Sequence, residues 1–182
     1  VTYKNVSFLK PSGQCVKTLT SALYKVFMSL MNSTNVPPSS SLWSSELQTA
    51  FLAADRAKTV LMKHYGQLQH VVEKPNEGLV TEADQESEVV IAAEIRRSFP
   101  DHQILGEEGG LQTSHADRPM WLIDPVDGTT NYVYQLPFFC ISIGLQVAGQ
   151  MVVGVVDAPV LQWRFHAVRG GGAYLNGAPI HA

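Results

Sequence analysis

The stretch Phe138-Phe139-Cys140-Ile141-Ser142-Ile143-Gly144-Leu145-Gln146-Val147-Ala148-Gly149-Gln150-Met151-Val152-Val153-Gly154-Val155-Val156 decides the fold. Two apolar runs, Phe138 to Val147 and Gln150 to Val156, flank Ala148-Gly149. Each run has strand length, and Gly at the junction is turn chemistry, so the pair reads as a hairpin. Downstream, Leu161 to Val168 and Ala173 to Leu175 read as further strands, and Asn176-Gly177 is a strong two-residue hairpin signal. Upstream, Gln103 to Gly106 is a short strand, and Met120 to Ile123 is an apolar run that ends at Asp124. Strands joined by short turns pair antiparallel, because a parallel pair needs a long crossover.

Helical spacing lies further toward the N-terminus. Leu47, Ala50, Phe51, Ala54, Ala57, Val60 and Leu61 recur with helical period up to Tyr65, and Gly66 ends the pattern. Ser44 or Ser45 is placed to cap a start near Glu46. Val71 to Glu73 reads as a strand before the polar loop Lys74-Pro75-Asn76-Glu77-Gly78. A second helix spans about Asp84 to Ser98, with Val89, Ala92, Ala93 and Ile95 as its apolar positions and Pro100 beyond its end. The expected class is therefore α+β, a largely antiparallel sheet with two helices on one face, rather than a doubly wound nucleotide fold.

Composition narrows the function classes. With 45% apolar and 16% charged residues, the 182-residue chain suits a globular protein with a core. A net charge of −3 offers no bulk positive field for nucleic acid. Two cysteines, Cys15 and Cys140, are too few and too far apart for a disulfide scaffold or a CxxC zinc site, and the six histidines form no HxH or HExxH motif. Thr129 to Val156 contains no charged residue and is long enough to cross a bilayer. Its Asn131, Gln135, Pro137, Gln146 and Gln150, and the Ala148-Gly149-Gln150 interruption, make it a buried loop and two core strands instead.

The first 45 residues differ in character. They carry four Lys and no acid or Arg, whereas residues 46–182 carry nine basic and sixteen acidic residues. Val16, Leu19, Ala22, Leu23, Val26, Phe27, Leu30 and Met31 recur at helical spacing, and Pro37-Pro38-Ser39-Ser40-Ser41 has linker composition. The segment reads as an extension helix and linker, or as an amphipathic targeting-like segment.

The chemistry-bearing text is Gly106-Glu107-Glu108-Gly109-Gly110 and Asp124-Pro125-Val126-Asp127-Gly128-Thr129-Thr130-Asn131. Asp124 sits at the end of an apolar run, Pro125 fixes the backbone and Asp127-Gly128 turns it. Two carboxylates across such a bend, joined by Glu107 from a neighbouring strand, would repel one another unless cations intervene. Oxygen-only donors select hard cations, with Mg²⁺ the default beside phosphate. Gly128-Thr129-Thr130 would turn backbone N–H groups toward an anion at the start of a short helix. Asp-Pro and Asp-Gly are also ordinary turn dipeptides, and paired Glu on a loop is often merely solvated.

These motifs, with Val80-Thr81-Glu82-Ala83-Asp84, Pro137-Phe138, Ser142-Ile143-Gly144, Gly154-Val155-Val156 and Gly170 to Gly177, closely resemble the inositol monophosphatase family. That family consists of Mg²⁺-dependent, lithium-sensitive phosphatases, and the resemblance covers residues 46–182. It implies the first half of a layered αβαβα sugar-phosphatase-like fold. It implies side-chain metal ligands Glu107, Asp124 and Asp127 and the Val126 carbonyl as another. Glu107 would hold the metal whose water attacks phosphorus. Thr129 would contact that water or the metal, and Asp84 would orient Thr129. Gly128, Thr129 and Thr130 would contact phosphate, Lys74 would help close the site, and Glu108 would shape the cluster.

The same resemblance implies a phosphomonoesterase acting on a small polyol phosphate, inositol monophosphate first. It also implies a homodimer in the cytoplasm, or in an organelle if residues 1–45 target it; the charge and the reading of residues 129–156 add that no nucleic acid partner and no stable membrane span are expected. Family members continue into a second αβ region with a Trp-Asp-x-Ala-Ala-Gly-like motif; residues 1–182 contain none, so the C-terminal half is expected to be absent from this sequence. A truncated, non-catalytic remnant serving dimerisation or protein binding is the reading from another class. Asp157-Ala158-Pro159 resembles histidinol-phosphate phosphatases, while Thr129-Thr130-Asn131 fits the inositol branch. Gly170-Gly171-Gly172 reads as a tight connection between strands, Trp121 and Trp163 as core or rim residues, and Cys140 as a buried thiol.

Overall fold

The computed structural model describes residues 43–74, 78–112 and 118–180. The helical pattern in residues 16–31 and the linker after it lie outside the described residues. Helix α1, Ser44–His64, buries Ala50, Ala53, Ala54, Ala57 and Leu61. Neither serine caps it. Trp43 holds the capping position without a side-chain hydrogen bond, and Ser45 Oγ donates to Glu46 Oε2 at 2.8 Å. Both serines fall one or two positions inside the helix, so their hydroxyls sit past the place where a cap acts. At the other end, the Tyr65 N–H closes on the Leu61 carbonyl at 2.9 Å and Gly66 leaves the helix at φ +76°.

Two short strands follow α1 and pair with each other. Strand β1, Val71–Lys74, pairs antiparallel with β2, Gly78–Thr81, from Val71 opposite Thr81 to Lys74 opposite Gly78. Helix α2, Glu82–Ser98, begins two residues earlier than its apolar pattern suggests, because Thr81 caps it. Thr81 Oγ1 accepts from the backbone of Ala83 and Asp84, and the Asp84 carboxylate accepts from the Thr81 N–H at 2.9 Å. That is a reciprocal capping box with Asp in the place of the usual Glu.

The buried face of α2 also departs from expectation. Ala92 and Ile95 are buried with Ile91, but Val89 is 67% exposed and Ala93 lies on the surface. Asp84, Ser87, Glu88 and Glu94 go inward instead. The acids can be buried because they are partnered: Glu94, for example, meets Arg56 at 2.6 Å and also Arg97.

Strands β3 (Gln103–Gly106), β4 (Gly110–Gln112), β5 (Met120–Asp127), β6 (Cys140–Val147), β7 (Gln150–Ala158), β8 (Trp163–Val168), β9 (Gly172–Leu175) and β10 (Ala178–Ile180) form one sheet. Its order is β10-β9-β8-β7-β6-β5-β3-β4, with all pairings antiparallel except β3 with β5. Helices α1 and α2 pack on each other, α1 also against β6 and β7 and α2 against β5. Trp121, Ile123, Ile141, Ile143, Leu145 and Val153 are fully buried in the resulting core. The expected class holds: mixed helices and a mostly antiparallel sheet.

Strand β5 does not stop at Asp124. It runs on through Pro125 to Asp127, and its pairing with β6 becomes irregular between Asp124 and Asp127. Proline donates no hydrogen bond, so the ladder must skip there, and a bulge re-aims the side chains around it. The uncharged stretch 129–156 becomes helix α3, Thr129–Val133, followed by β6 and most of β7, and no helix among the described residues is long and apolar enough to cross a membrane. Asn176 (φ +49°) and Gly177 (φ +81°) form the tight turn between β9 and β10. The glycine run joins β8 to β9, where the Gly171 N–H is taken by the Val168 carbonyl at 2.8 Å. Trp121 is core and Trp163 is 48% exposed.

Candidate active site

Three pieces of backbone meet where β3, β5 and the start of α2 end. The parallel pairing sets Gly106 beside Ile123, so the residues that follow, Glu107 and Asp124, leave neighbouring strands in the same direction. Asp124 is 2% exposed, and the charge of Glu107 acts on it. Asp127, at the far side of the bulge, faces Cys140, whose Sγ lies 3.8 Å from Asp127 Oδ2. The bend therefore brings the carboxylates of Glu107, Asp124 and Asp127 within electrostatic reach of one another. Among the described residues no three such side chains yet stand around one point as a finished cage.

The cluster is electrostatically uncomfortable. Burial, and then the charges of Glu107 and Asp127, push the Asp124 carboxyl well above the usual carboxylate range. Asp124 Oδ1 is buried with no hydrogen-bond partner. A buried acceptor without a partner is costly; a proton relieves the repulsion, and a hard cation both relieves it and gives the oxygen a partner. All donors here are oxygens, as Mg²⁺ requires. The neighbouring thiol does not alter that, because burial and then Asp127 hold Cys140 firmly protonated. Cys140 opens β6 beside this cluster with its thiol buried, although the residue as a whole is partly exposed.

Gly128 turns the chain from β5 into α3 at φ +94°, and a Cβ there would stand 3.0 Å from the Phe138 carbonyl. Both the left-handed backbone and the close approach call for glycine. The same carbonyl accepts from Asn131 Nδ2 at 2.7 Å, which fixes the α3 turn against the start of β6. Tyr132 anchors α3 to the body, its hydroxyl donating to the Leu61 carbonyl at 2.6 Å.

The Thr129 hydroxyl lies 3.1 Å from Asp84 Oδ1 and 2.9 Å from the Val126 carbonyl. A hydroxyl has one proton, so the two oxygens compete for it. Asp84 is buried at the start of α2, and burial raises its carboxyl to about 6. The hydrogen bonds from Thr81 and Thr129 oppose that rise, and the charge of Glu108 adds to it. Thr130 follows on the exposed side of α3. Lys74 ends β1 opposite Gly78, which lies three residues along β2 from Thr81, about 10 Å at strand spacing; its side chain lies outside the described residues.

Glu88 carries no motif and goes unnoticed in the sequence. It is 4% exposed and accepts the Glu108 N–H at 2.8 Å and the Gly109 N–H at 2.7 Å. Its spacing could have revealed it, since it follows Asp84 by one helical turn and so shares its face.

Residues 43–182 match the profile of the inositol monophosphatase family. The chain belongs to that family. Among its curated relatives, inositol monophosphatase 1 of Solanum lycopersicum is 42% identical over 137 residues, 74% of this chain and 50% of the relative. A Thermotoga maritima protein named fructose-1,6-bisphosphatase/inositol-1-monophosphatase is 43% identical over 122 residues, 66% of this chain and 46% of its own length. The crystal structure of the extragenic suppressor protein suhB from Bartonella henselae superposes with a TM-score of 0.72 at 33% identity, covering 75% of this chain and 54% of that one. The chain thus spans about half the length of the relatives it matches. Asp157, which resembles the histidinol-phosphate branch, is 2% exposed and bound by Arg164 Nε at 2.5 Å. Arg164 also reaches Asp55 on α1, so Asp157 ties the strand to the helix.

Proposed function

We propose that this protein acts as a Mg²⁺-dependent phosphomonoesterase on a small polyol phosphate, with inositol monophosphate as the first substrate to test. The observation that carries this reading is the buried, partnerless oxygen of Asp124 among like charges, with the Thr129 hydroxyl bonded at 2.9 Å to the carbonyl of Val126, two residues further along. Glu107, Asp124, Asp127 and the Val126 carbonyl would hold the cation. When bound, Mg²⁺ supplies positive charge that polarises a phosphoryl oxygen and makes an adjacent water a better nucleophile.

The chain's own residues do the rest. With the Val126 carbonyl engaged elsewhere, the Thr129 proton goes to Asp84, and the lone pairs of its hydroxyl are left to orient a water. Asp84 performs this best as a carboxylate, since only the ionised form accepts without also donating. Gly128, Thr129 and Thr130 turn into α3 beside the cluster and would meet the phosphate oxygens. Lys74, at the end of β1, is proposed to approach only when the site closes.

The test is phosphate release by the protein as its gene encodes it, with inositol monophosphate, fructose 1,6-bisphosphate and histidinol phosphate, in Mg²⁺, in chelator, and in Mg²⁺ with Li⁺. Turnover of inositol monophosphate that needs Mg²⁺ and falls with Li⁺ supports the reading. Turnover of all three in chelator would overturn it. The bisphosphate is included because the name of the Thermotoga relative carries both activities.

A further inference from the structure

We propose that Glu88 is the positioning residue that aims Glu107 into the cation cluster, a role that rests on the phosphatase reading. Both oxygens of its buried carboxylate are spent on consecutive backbone amides, those of Glu108 and Gly109. A carboxylate is driven inside a protein only where charged hydrogen bonds of this kind meet it. The two amides belong to the turn between β3 and β4, and Glu107 is the residue directly before them. Holding the amides of the next two residues fixes the peptide from which Glu107 departs toward Asp124.

Gly106 shows that the space is built for this contact. A Cβ on Gly106 would lie 2.4 Å from Glu88 Cδ and from Oε1, and 2.6 Å from Oε2. Its φ is not in the left-handed region, so the glycine is there to admit a carboxylate and not to allow a turn. Glu107 is thus bracketed by Glu88: the carboxylate fills the gap before it and ties the amides after it. Asp84 and Glu88, one turn apart on α2, give the helix two separate tasks, orienting Thr129 and orienting Glu107.

A purely structural Glu88 would affect stability and leave cation binding alone, so the test measures both. Glu88→Gln keeps the size of the side chain but turns an NH₂ toward one of the two N–H groups. Titration calorimetry with Mg²⁺ should show affinity about 10–100-fold weaker for Glu88→Gln than for wild type, the range typical of residues that orient metal ligands. Hydrogen exchange at Glu108 and Gly109 should quicken in the same variant without Mg²⁺. Thermal melting of Gly106→Ala, Glu88→Ala and the double variant supplies a check independent of any cation. Gly106→Ala should destabilise strongly when Glu88 is present and add nothing once Glu88→Ala has emptied the space. Unchanged Mg²⁺ affinity in Glu88→Gln, or additive losses in the cycle, would overturn this role alone. A wild type that binds no Mg²⁺ at all would overturn the phosphatase reading and this role with it.

Discussion

Asp84 and Thr129, 45 residues apart in the chain, lie within a hydrogen bond of each other at 3.1 Å. The contact links the first turn of α2 to the first turn of α3, so the capping box that starts one helix also sets the hydroxyl that starts the other. Asp84 Oδ2 is occupied by Thr81, through its N–H at 2.9 Å and its hydroxyl at 2.5 Å, which leaves Oδ1 aimed at Thr129.

Thr129→Ala should therefore lower kcat more than it raises KM, because a water-orienting contact matters most in the transition state. Such roles are typically worth ~10²–10⁴-fold. Asp84→Asn should act on the same step, and the double variant should lose far less than the product of the two single losses. Steady-state kinetics on all three variants decide it; multiplicative losses would show that the two residues work separately.

The raised carboxyl of Asp84 gives a pH signature to stability. Its folded value of about 6 lies above its ordinary 3.8, so the fold prefers the protonated form. The stability this group contributes is complete below about pH 3.8 and is lost as pH rises through 6, an effect on the order of 3 kcal/mol. Glu82, Glu86 and Glu94 shift downward and act oppositely, at lower pH. Melting without divalent cations, compared between wild type and Asp84→Asn, reports Asp84 together with the charge it places on Asp124. The variant should gain on wild type between pH 4 and 7, and a constant difference would contradict the assignment.

The hairpin of β6 and β7, the Asn176-Gly177 turn and the strands flanking the acidic motifs are legible in sequence because period and turn chemistry act locally. Two features are not. Pro125 and the apolar-to-acidic change mark Asp124 as a strand end, yet β5 continues to Asp127, because burial between neighbours outweighs the missing ladder bond. Hydrophobic periodicity likewise misassigns the α2 face, since Val89 is exposed while Glu88 and Glu94 are buried. Their partners, two loop amides for Glu88 and arginines for Glu94, lie elsewhere in the chain, where no local pattern can signal them.

Tyr132→Phe tests the anchoring of α3 separately from chemistry. It removes the hydroxyl that bonds the Leu61 carbonyl at 2.6 Å, while that carbonyl keeps the Tyr65 N–H. Because no acceptor is orphaned, the loss should be about 1 kcal/mol by denaturant titration. A loss of several kcal/mol would mean that α3 docks mainly through this one bond.

The most direct measurement is calorimetric titration of Mg²⁺ into wild type and Asp127→Asn, with phosphate release from inositol monophosphate and melting followed on the same samples. Removing one charge from the cluster should leave the cation-free fold as stable as wild type or more so, because it relieves the repulsion around Asp124. Mg²⁺ binding and turnover should be lost together. Asp127→Asn that binds Mg²⁺ and hydrolyses the substrate like wild type would contradict the cation cluster on which the account stands.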